Sequence, residues 1–228
     1  MLLRDGQRVN MPNDLRAVRA PVQQAHPSSR RYAHLPFTFP KAIRCYPRDM
    51  RFFPFLITAV WVLLDQWLKM HVVDLHTSGQ LAQYTYNPDP YVNTIPAIPG
   101  FMNLAYTINL GAAWSLFSGA TPALVVLRFV AGMAILGYIW INFSKLPRVQ
   151  WVAFALIAGG ALGNAIDGAM RGHVVDMLVS HTLTAIYKPF FGTVYPIFNI
   201  ADVGVVSGVL LLVISSFFVP QPAKRAIR

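Results

Sequence analysis

The chain has 228 residues, of which 55% are hydrophobic and only 12% charged, with a mean hydropathy of +0.45. A soluble domain carries roughly 25% charged residues, so this composition argues against an ordinary soluble globule. The charge is also lopsided: 19 Lys and Arg stand against nine acids, all of them Asp, for a formal net charge of +10. A single Cys excludes a disulfide framework and a cysteine-based zinc site.

Ten of the 19 basic residues fall within the first 51 positions, with only Asp5, Asp14 and Asp49 against them. This stretch has no apolar period, so residues 1–50 are expected to be a mostly disordered cytosolic extension. Its charge would be drawn to anionic lipid. An Arg-rich, acid-poor N-terminus also resembles an organelle transit peptide. A further reading is an over-long start, with Met50 as the first residue. No aromatic and basic interleaving on a foldable domain supports nucleic-acid binding.

Four segments are long and apolar enough, or nearly so, for the roughly 20 residues a membrane helix needs. The first covers residues 52–73, interrupted late by Asp65 and Lys69. The second runs over 122–143, with Arg128 near its start. The third, over 151–166, is short and rich in glycine (Gly159, Gly160, Gly163), which lets helices approach closely. The fourth covers 200–219. Between the first two lies a long segment over 74–121 with several prolines. Its run 101–117 has β character around Tyr106, Thr107 and Ile108. A second connecting segment, 168–199, joins the third and fourth spans.

Loop charge sets orientation. Placing both termini in the cytosol puts fifteen of the 19 basic residues inside and leaves Lys69, Arg128, Arg171 and Lys188 outside. The expected fold is therefore an all-α membrane protein of four transmembrane helices, N-in and C-in, with a small extracytoplasmic β cradle. The expected organisation is an extension over 1–50, a membrane domain over 51–220 and a basic cytosolic tail over 221–228. Trp67, Trp114 and Tyr195 fall near the expected outer interface, Trp140 and Trp151 near the inner one, as an aromatic belt.

Six acids remain outside the extension: Asp65, Asp74, Asp89, Asp167, Asp176 and Asp202. All six fall toward the outer side. Ionisable groups in or beside spans are functional candidates. Asp65 and Lys69 are four apart and share a helix face, so they can pair. Either they anchor the helix at the interface or they serve the site directly. Asp176 follows the third span and Asp202 opens the fourth, which places both at one depth, at facing ends of sequential helices. Two carboxyls held close share a proton. One can then take a proton from water while the other polarises a carbonyl, as in aspartic proteases. Asn199, three residues before Asp202, suits a helix cap or an orienting role. The alternative is two unrelated interfacial acids.

At these positions the sequence resembles a known family, the lipoprotein signal peptidases, which are aspartic membrane proteases of bacteria. Asp65-Gln66-Trp67-Leu68-Lys69 resembles the family's D-x-x-x-K, and Asn109-Leu110-Gly111-Ala112-Ala113-Trp114-Ser115 its N-x-G-A-A-[FW]-S block. Residues 159–167, ending in Gly163-Asn164-Ala165-Ile166-Asp167, resemble G-G-A-x-G-N-x-x-D. Gly172-His173-Val174-Val175-Asp176 resembles G-x-V-x-D, and Phe198-Asn199-Ile200-Ala201-Asp202 resembles F-N-x-A-D. The blocks span residues 65–202. The resemblance implies that Asp176 and Asp202 are the catalytic pair. It also implies that Asp65, Lys69, Asn109, Gly111, Asn164, Asp167, Asn199 and Ala201 build or support the site. The implied substrate is a diacylglyceryl-prolipoprotein, cut just before its lipidated cysteine at the extracytoplasmic face of the inner membrane. No metal, cofactor or nucleic acid is implied, the expected partners being substrate and membrane lipids around a monomer. Members are inhibited by the cyclic peptide globomycin.

Two departures stand out. The family usually carries Arg directly after the Asp of the third block, where this chain has Gly168; Arg171, about one turn on, is the expected stand-in. The stretch between Asp176 and Asp202 is also longer than usual in the family, with an extra region around Tyr187-Lys188-Pro189-Phe190-Phe191. Two rival readings follow. One is an inactive paralogue that acts as a membrane scaffold. The other is a peptidase using Ser115 with Lys69 as base.

Overall fold

The computed structural model of the chain describes residues 47–84, 91–110 and 121–218. The expected extension up to residue 46, Asp89, Gly111, Trp114, Ser115 and the tail over 221–228 lie outside the described residues. A short 3-10 turn, Arg48–Phe52, leads into α1 (Phe53–Thr77). Strands β1 (Ile95–Ile98) and β2 (Met102–Asn109) follow, then α2 (Thr121–Asn142) and α3 (Arg148–Arg171). Strand β3 (Val174–Ser180) and a short α4 (His181–Phe191) precede the last helix, α5 (Ile200–Phe218).

The local chemistry of each boundary is legible. Pro54 sits in the first turn of α1, where its missing N–H costs nothing. Gly172 closes α3 in the left-handed region at φ 72°, and its N–H reaches the Gly168 carbonyl at 3.1 Å. Ser180 caps α4, accepting the Leu183 N–H at 3.2 Å. Helix α5 starts with a reciprocal cap. Asp202 N–H donates to Asn199 Oδ1 at 2.9 Å, while Asn199 N–H donates to Asp202 Oδ2 at 3.2 Å.

Among the described residues, α1, α2, α3 and α5 are the four helices long and apolar enough to cross a membrane. At about 1.5 Å per residue they match or approach the roughly 30 Å of a hydrocarbon core. α3 is the central one. Its buried stripe is almost wholly small: Ala153, Ala155, Ala158, Gly159, Gly160, Gly163, Ala165 and Gly168. A side chain at Gly160 would collide with the Ala201 carbonyl of α5, and one at Gly168 with Val125 of α2. On the α1 side, a Cβ at Gly159 would stand 3.1 Å from Trp61. Small residues thus bring three helices against one, the way membrane helices gain packing where lipid offers no hydrophobic drive. The outward faces are apolar: Val126, Leu127, Val130 and Ile141 of α2, and Val209, Leu210, Val213 and Ile214 of α5, are all exposed.

The strands form one antiparallel sheet in the order β1-β2-β3. β2 pairs with β3 in a register that sets Thr107 opposite Asp176 and Asn109 opposite Val174. A shift in register lies between Leu104 and Thr107. Val175, Met177 and Leu178 of β3 pack with Tyr106 and with Val72 and Leu81, which seats the sheet on the end of α1.

Two expectations are corrected. The third span does not stop near residue 166. It continues to Arg171, because its last turns turn Asn164 and Asp167 inward. Asp176 is not at a helix end but inside β3, a strand buried along its whole length. Such a strand shows no alternation in sequence. The extra region around residues 187–191 belongs to a helix, α4. The β character expected over 101–117 is found over Met102–Asn109, and residues 111–117 lie outside the described part.

Candidate active site

Six charged or amide side chains from α1 and α3 meet at one end of the bundle. Lys69 is fully buried and central to them. Its ammonium lies 2.7 Å from Asp65 Oδ2, 3.0 Å from Asp167 Oδ2 and 2.9 Å from Asn164 Oδ1. Three donors thus meet three acceptors, so the buried ammonium has every hydrogen bond satisfied. Asp65 is also tied to α5, since its Oδ1 accepts the Ala201 N–H at 2.9 Å. Asp167 is held from three sides. Oδ2 accepts the Val175 N–H of β3 at 3.0 Å, and Oδ1 pairs with Arg171 and accepts from Gln66 Nε2 at 3.4 Å.

The two cations are therefore spent on two carboxylates. Asp176 and Asp202 have no Lys or Arg at ion-pair distance among the described residues. Their partners are amides. Asn199 Nδ2 donates to Asp176 Oδ1 at 2.6 Å, and Asn109 Nδ2 donates to Asp176 Oδ2 at 2.9 Å. Asn164 Nδ2 donates to Asp202 Oδ1 at 3.0 Å. Asn199 Nδ2 also lies 3.1 Å from Asn164 Oδ1, so two amides bridge the two carboxyls. Asp176 is only 4% exposed. Burial pushes its carboxyl up from the ordinary value to about 7, the nearby Asp202 charge pushes the same way, and the Asn109 and Asn199 hydrogen bonds and the Lys69 charge pull back.

The structure brings Asp65, Lys69, Asn109, Asn164, Asp167, Arg171, Asn199, Ala201, Asp176 and Asp202 into one connected network. Gly111 lies outside the described residues. Arg171 does not extend toward the two free carboxyls; it turns back onto Asp167 one turn earlier and reaches Gln66 Oε1 at 3.3 Å. Sequence reasoning missed Gln66, whose Nε2 also lies 3.1 Å from Asp65 Oδ2 and from the Gly163 carbonyl. Its signal was present: an amide inside an apolar span, one residue from Asp65. Trp61 was missed as well. Its Nε1 donates to the Ile200 carbonyl at 3.0 Å and holds the first turn of α5 against α1.

A four-span bundle with two amide-bridged aspartates, one in β3 and one in the first turn of α5, is the architecture of a multi-pass membrane protein with a polar site at one end. Residues 57–218 match the family model described as signal peptidase (SPase) II. A lipoprotein signal peptidase of Deinococcus radiodurans is 38% identical over 82% of this chain and 90% of its own length. One from Fusobacterium nucleatum is 38% identical over 70% of this chain and 82% of its own. A solved bacterial membrane enzyme, determined in meso at 2.3 Å, superposes with a TM-score of 0.57 at 27% identity, covering 77% of this chain and 94% of that one. The chain belongs to the signal peptidase II family and is a membrane protease.

Proposed function

We propose that Asp176 and Asp202 are the catalytic pair and that the chain removes the signal peptide from diacylglyceryl-prolipoproteins just before the lipidated cysteine. The observation that carries this reading is the division of the four buried or half-buried carboxyls. Asp65 and Asp167 are neutralised by Lys69 and Arg171, whereas Asp176 and Asp202 are joined only through Asn164 and Asn199. Two carboxyls without a cation, linked through the same two amides, are suited to serve as one acid and one base. In the proposed reaction Asp202 takes a proton from the attacking water as its oxygen bonds to the scissile carbonyl carbon. Asp176 gives its proton to the carbonyl oxygen. Collapse of the tetrahedral intermediate breaks the C–N bond, and the amine leaves with a proton returned through the pair.

The supporting residues act through this pair. Asn109 and Asn199 fix the Asp176 rotamer, and Asn164 fixes Asp202. Asp65 and Lys69 lock α1 to α3 and α5. Arg171 steadies Asp167, which grips the β3 backbone one residue before Asp176. Lys69 is committed to three acceptors, which disfavours its use as a free base for Ser115. Orientation follows the basic bias: both termini in the cytosol and the aspartates toward the extracytoplasmic face of the inner membrane. The unit is a monomer surrounded by lipid, with residues 1–50 as a basic cytosolic extension.

Cleavage of a lipidated prolipoprotein by the purified protein tests the reading. Wild type should release the signal peptide and bind globomycin. Asp176→Asn and Asp202→Asn should each lose at least about 10²-fold in rate, the typical worth of a positioned acid or base. Equal cleavage by wild type and Asp202→Asn refutes the pair. Globomycin binding with no cleavage favours the inactive paralogue.

A further inference from the structure

Helix α4 has its polarity inside out. With 3.6 residues per turn, Leu183, Ile186 and Phe190 share one face, while His181, Thr184, Ala185 and Lys188 share the opposite one. A short helix on a soluble domain turns its apolar face inward. Here the residues that are turned in are polar, Thr184 buried and His181 half-buried, while Ala185 and Lys188 stay exposed. His181 Nε2 lies 3.0 Å from Asn103 Oδ1 of β2, and its ring stacks on Tyr91 at 4.1 Å. Thr184 is buried, and His181, Thr184, Ala185 and Lys188 line a cleft of about 370 Å³ with Tyr91 and Pro189. The apolar face is left open. Leu183 is 37% exposed, Ile186 60% and Phe190 80%, with the neighbouring Phe191 at 64%.

The position of α4 names what lies against that face. The chain enters α4 directly from β3, which starts three residues after the membrane helix α3 ends at Arg171. It leaves at Phe191, nine residues before the membrane helix α5 begins at Ile200. α4 is thus joined to membrane helices on both sides, through β3 to α3 and through residues 192–199 to α5. The apolar outward faces of α2 and α5 follow the same inverted pattern. A helix of this kind beside spanning helices lies in the interface, its apolar side about 5–10 Å into the headgroup boundary.

We propose that α4 docks on the lipid bilayer through Leu183, Ile186, Phe190 and Phe191, as an interfacial foot beside the aspartate pair. The foot is wired to the site. Tyr187 stacks on Phe191 at 4.1 Å and meets Tyr195 edge-on at 5.5 Å; Tyr195 meets Phe198 at 5.9 Å. The Phe198 carbonyl accepts from Leu178 and Met177 of β3 at 2.7 and 3.0 Å, and the next residue is Asn199. Contact of α4 with lipid therefore sets the height of Asn199 and Asp176 above the membrane.

The test places one nitroxide at a time on Leu183→Cys, Ile186→Cys, Phe190→Cys and Lys188→Cys, in the full chain with Cys45→Ser, in phospholipid vesicles. The labels at 183, 186 and 190 should be relaxed strongly by oxygen and weakly by a water-soluble nickel chelate, and the label at 188 the reverse. Nickel access at 190 equal to that at 188 overturns the proposal. Brominated-lipid quenching of Phe190→Trp, compared with the parent chain, reads the same contact without a label. Added quenching supports docking, and none overturns it. Neither readout depends on catalysis, so failure here leaves the proposed reaction untouched.

Discussion

Lys69 is the residue on which the polar centre turns. Its ammonium offsets two fully buried carboxylates and orients Asn164, whose amide in turn holds Asp202. Removing one partner of a buried ion pair leaves an uncompensated charge and costs about 3–5 kcal/mol. Lys69→Met should therefore lower stability by about that much, read as denaturant or thermal unfolding in detergent. A fully stable variant would show that Asp65 and Asp167 need no counter-ion. In the proposed reaction Asp176 sets the pH response. Protonated below about 7, it is competent to donate; above that it is ionised. The cleavage rate should fall on the alkaline side with a midpoint near 7, and a flat profile from pH 6 to 9 would exclude Asp176 as the acid. The carboxyls and Lys69 of this centre were legible because charges are rare in apolar spans and costly there, whereas Asn109, Asn164 and Ala201 were marked only by the family resemblance, and Gln66 and Trp61 by neither. The sequence could not show how Lys69 and Arg171 divide among four carboxyls. Both partners of Lys69 lie within helical reach or far along the chain, and only the fold selects among them.

At the scale of elements, the α3–α5 contact fixes the distance between the amides of α3 and the aspartate of α5. Gly160 lies against the Ala201 carbonyl with no room for a Cβ, and Val205 stands 2.7 Å from where that atom would be. Gly160→Ala must push α5 away just where Ala201 binds Asp65 and Asp202 binds Asn164. Overpacking costs about 1–3 kcal/mol, and the displaced Asp202 should lower the cleavage rate more than the loss of folded protein explains. Stability and rate that fall in strict proportion would place the effect on folding alone. The spans were visible from hydropathy, but not all their ends. α3 outruns its apolar stretch by five residues because Asp167 and Arg171 find partners inside the bundle. β3 escaped notice because a strand buried on both faces reads as a plain apolar run. α4 did because its 11 residues are short for a helix and carry Pro189 inside, which reads as a break.

For the whole molecule, the carboxyl of Asp176, proposed above as the acid, also weakens the fold at high pH. Its pKa is raised from 3.8 in the unfolded chain to about 7 in the folded one. Between those values the folded state holds a proton that the unfolded state has released, so stability declines as pH rises through the window and levels off above about 7. Unfolding in detergent should be harder at pH 5 than at pH 8, with the excess lost in Asp176→Ala. The arrangement of four helices, basic termini and a sheet at one end could be anticipated from charge and hydropathy, since a bilayer admits few alternatives. What could not be anticipated is how tightly the central helix is wedged. Gly168 occupies the position where the family usually carries arginine, and any side chain there would run into Val125 of α2. The two positions are locked together. Gly168→Arg alone should fail to fold or lose activity, while Gly168→Arg with Val125→Gly should recover it. Whether residue 168 can carry a side chain is thus decided on a different helix, by the size of the residue at 125.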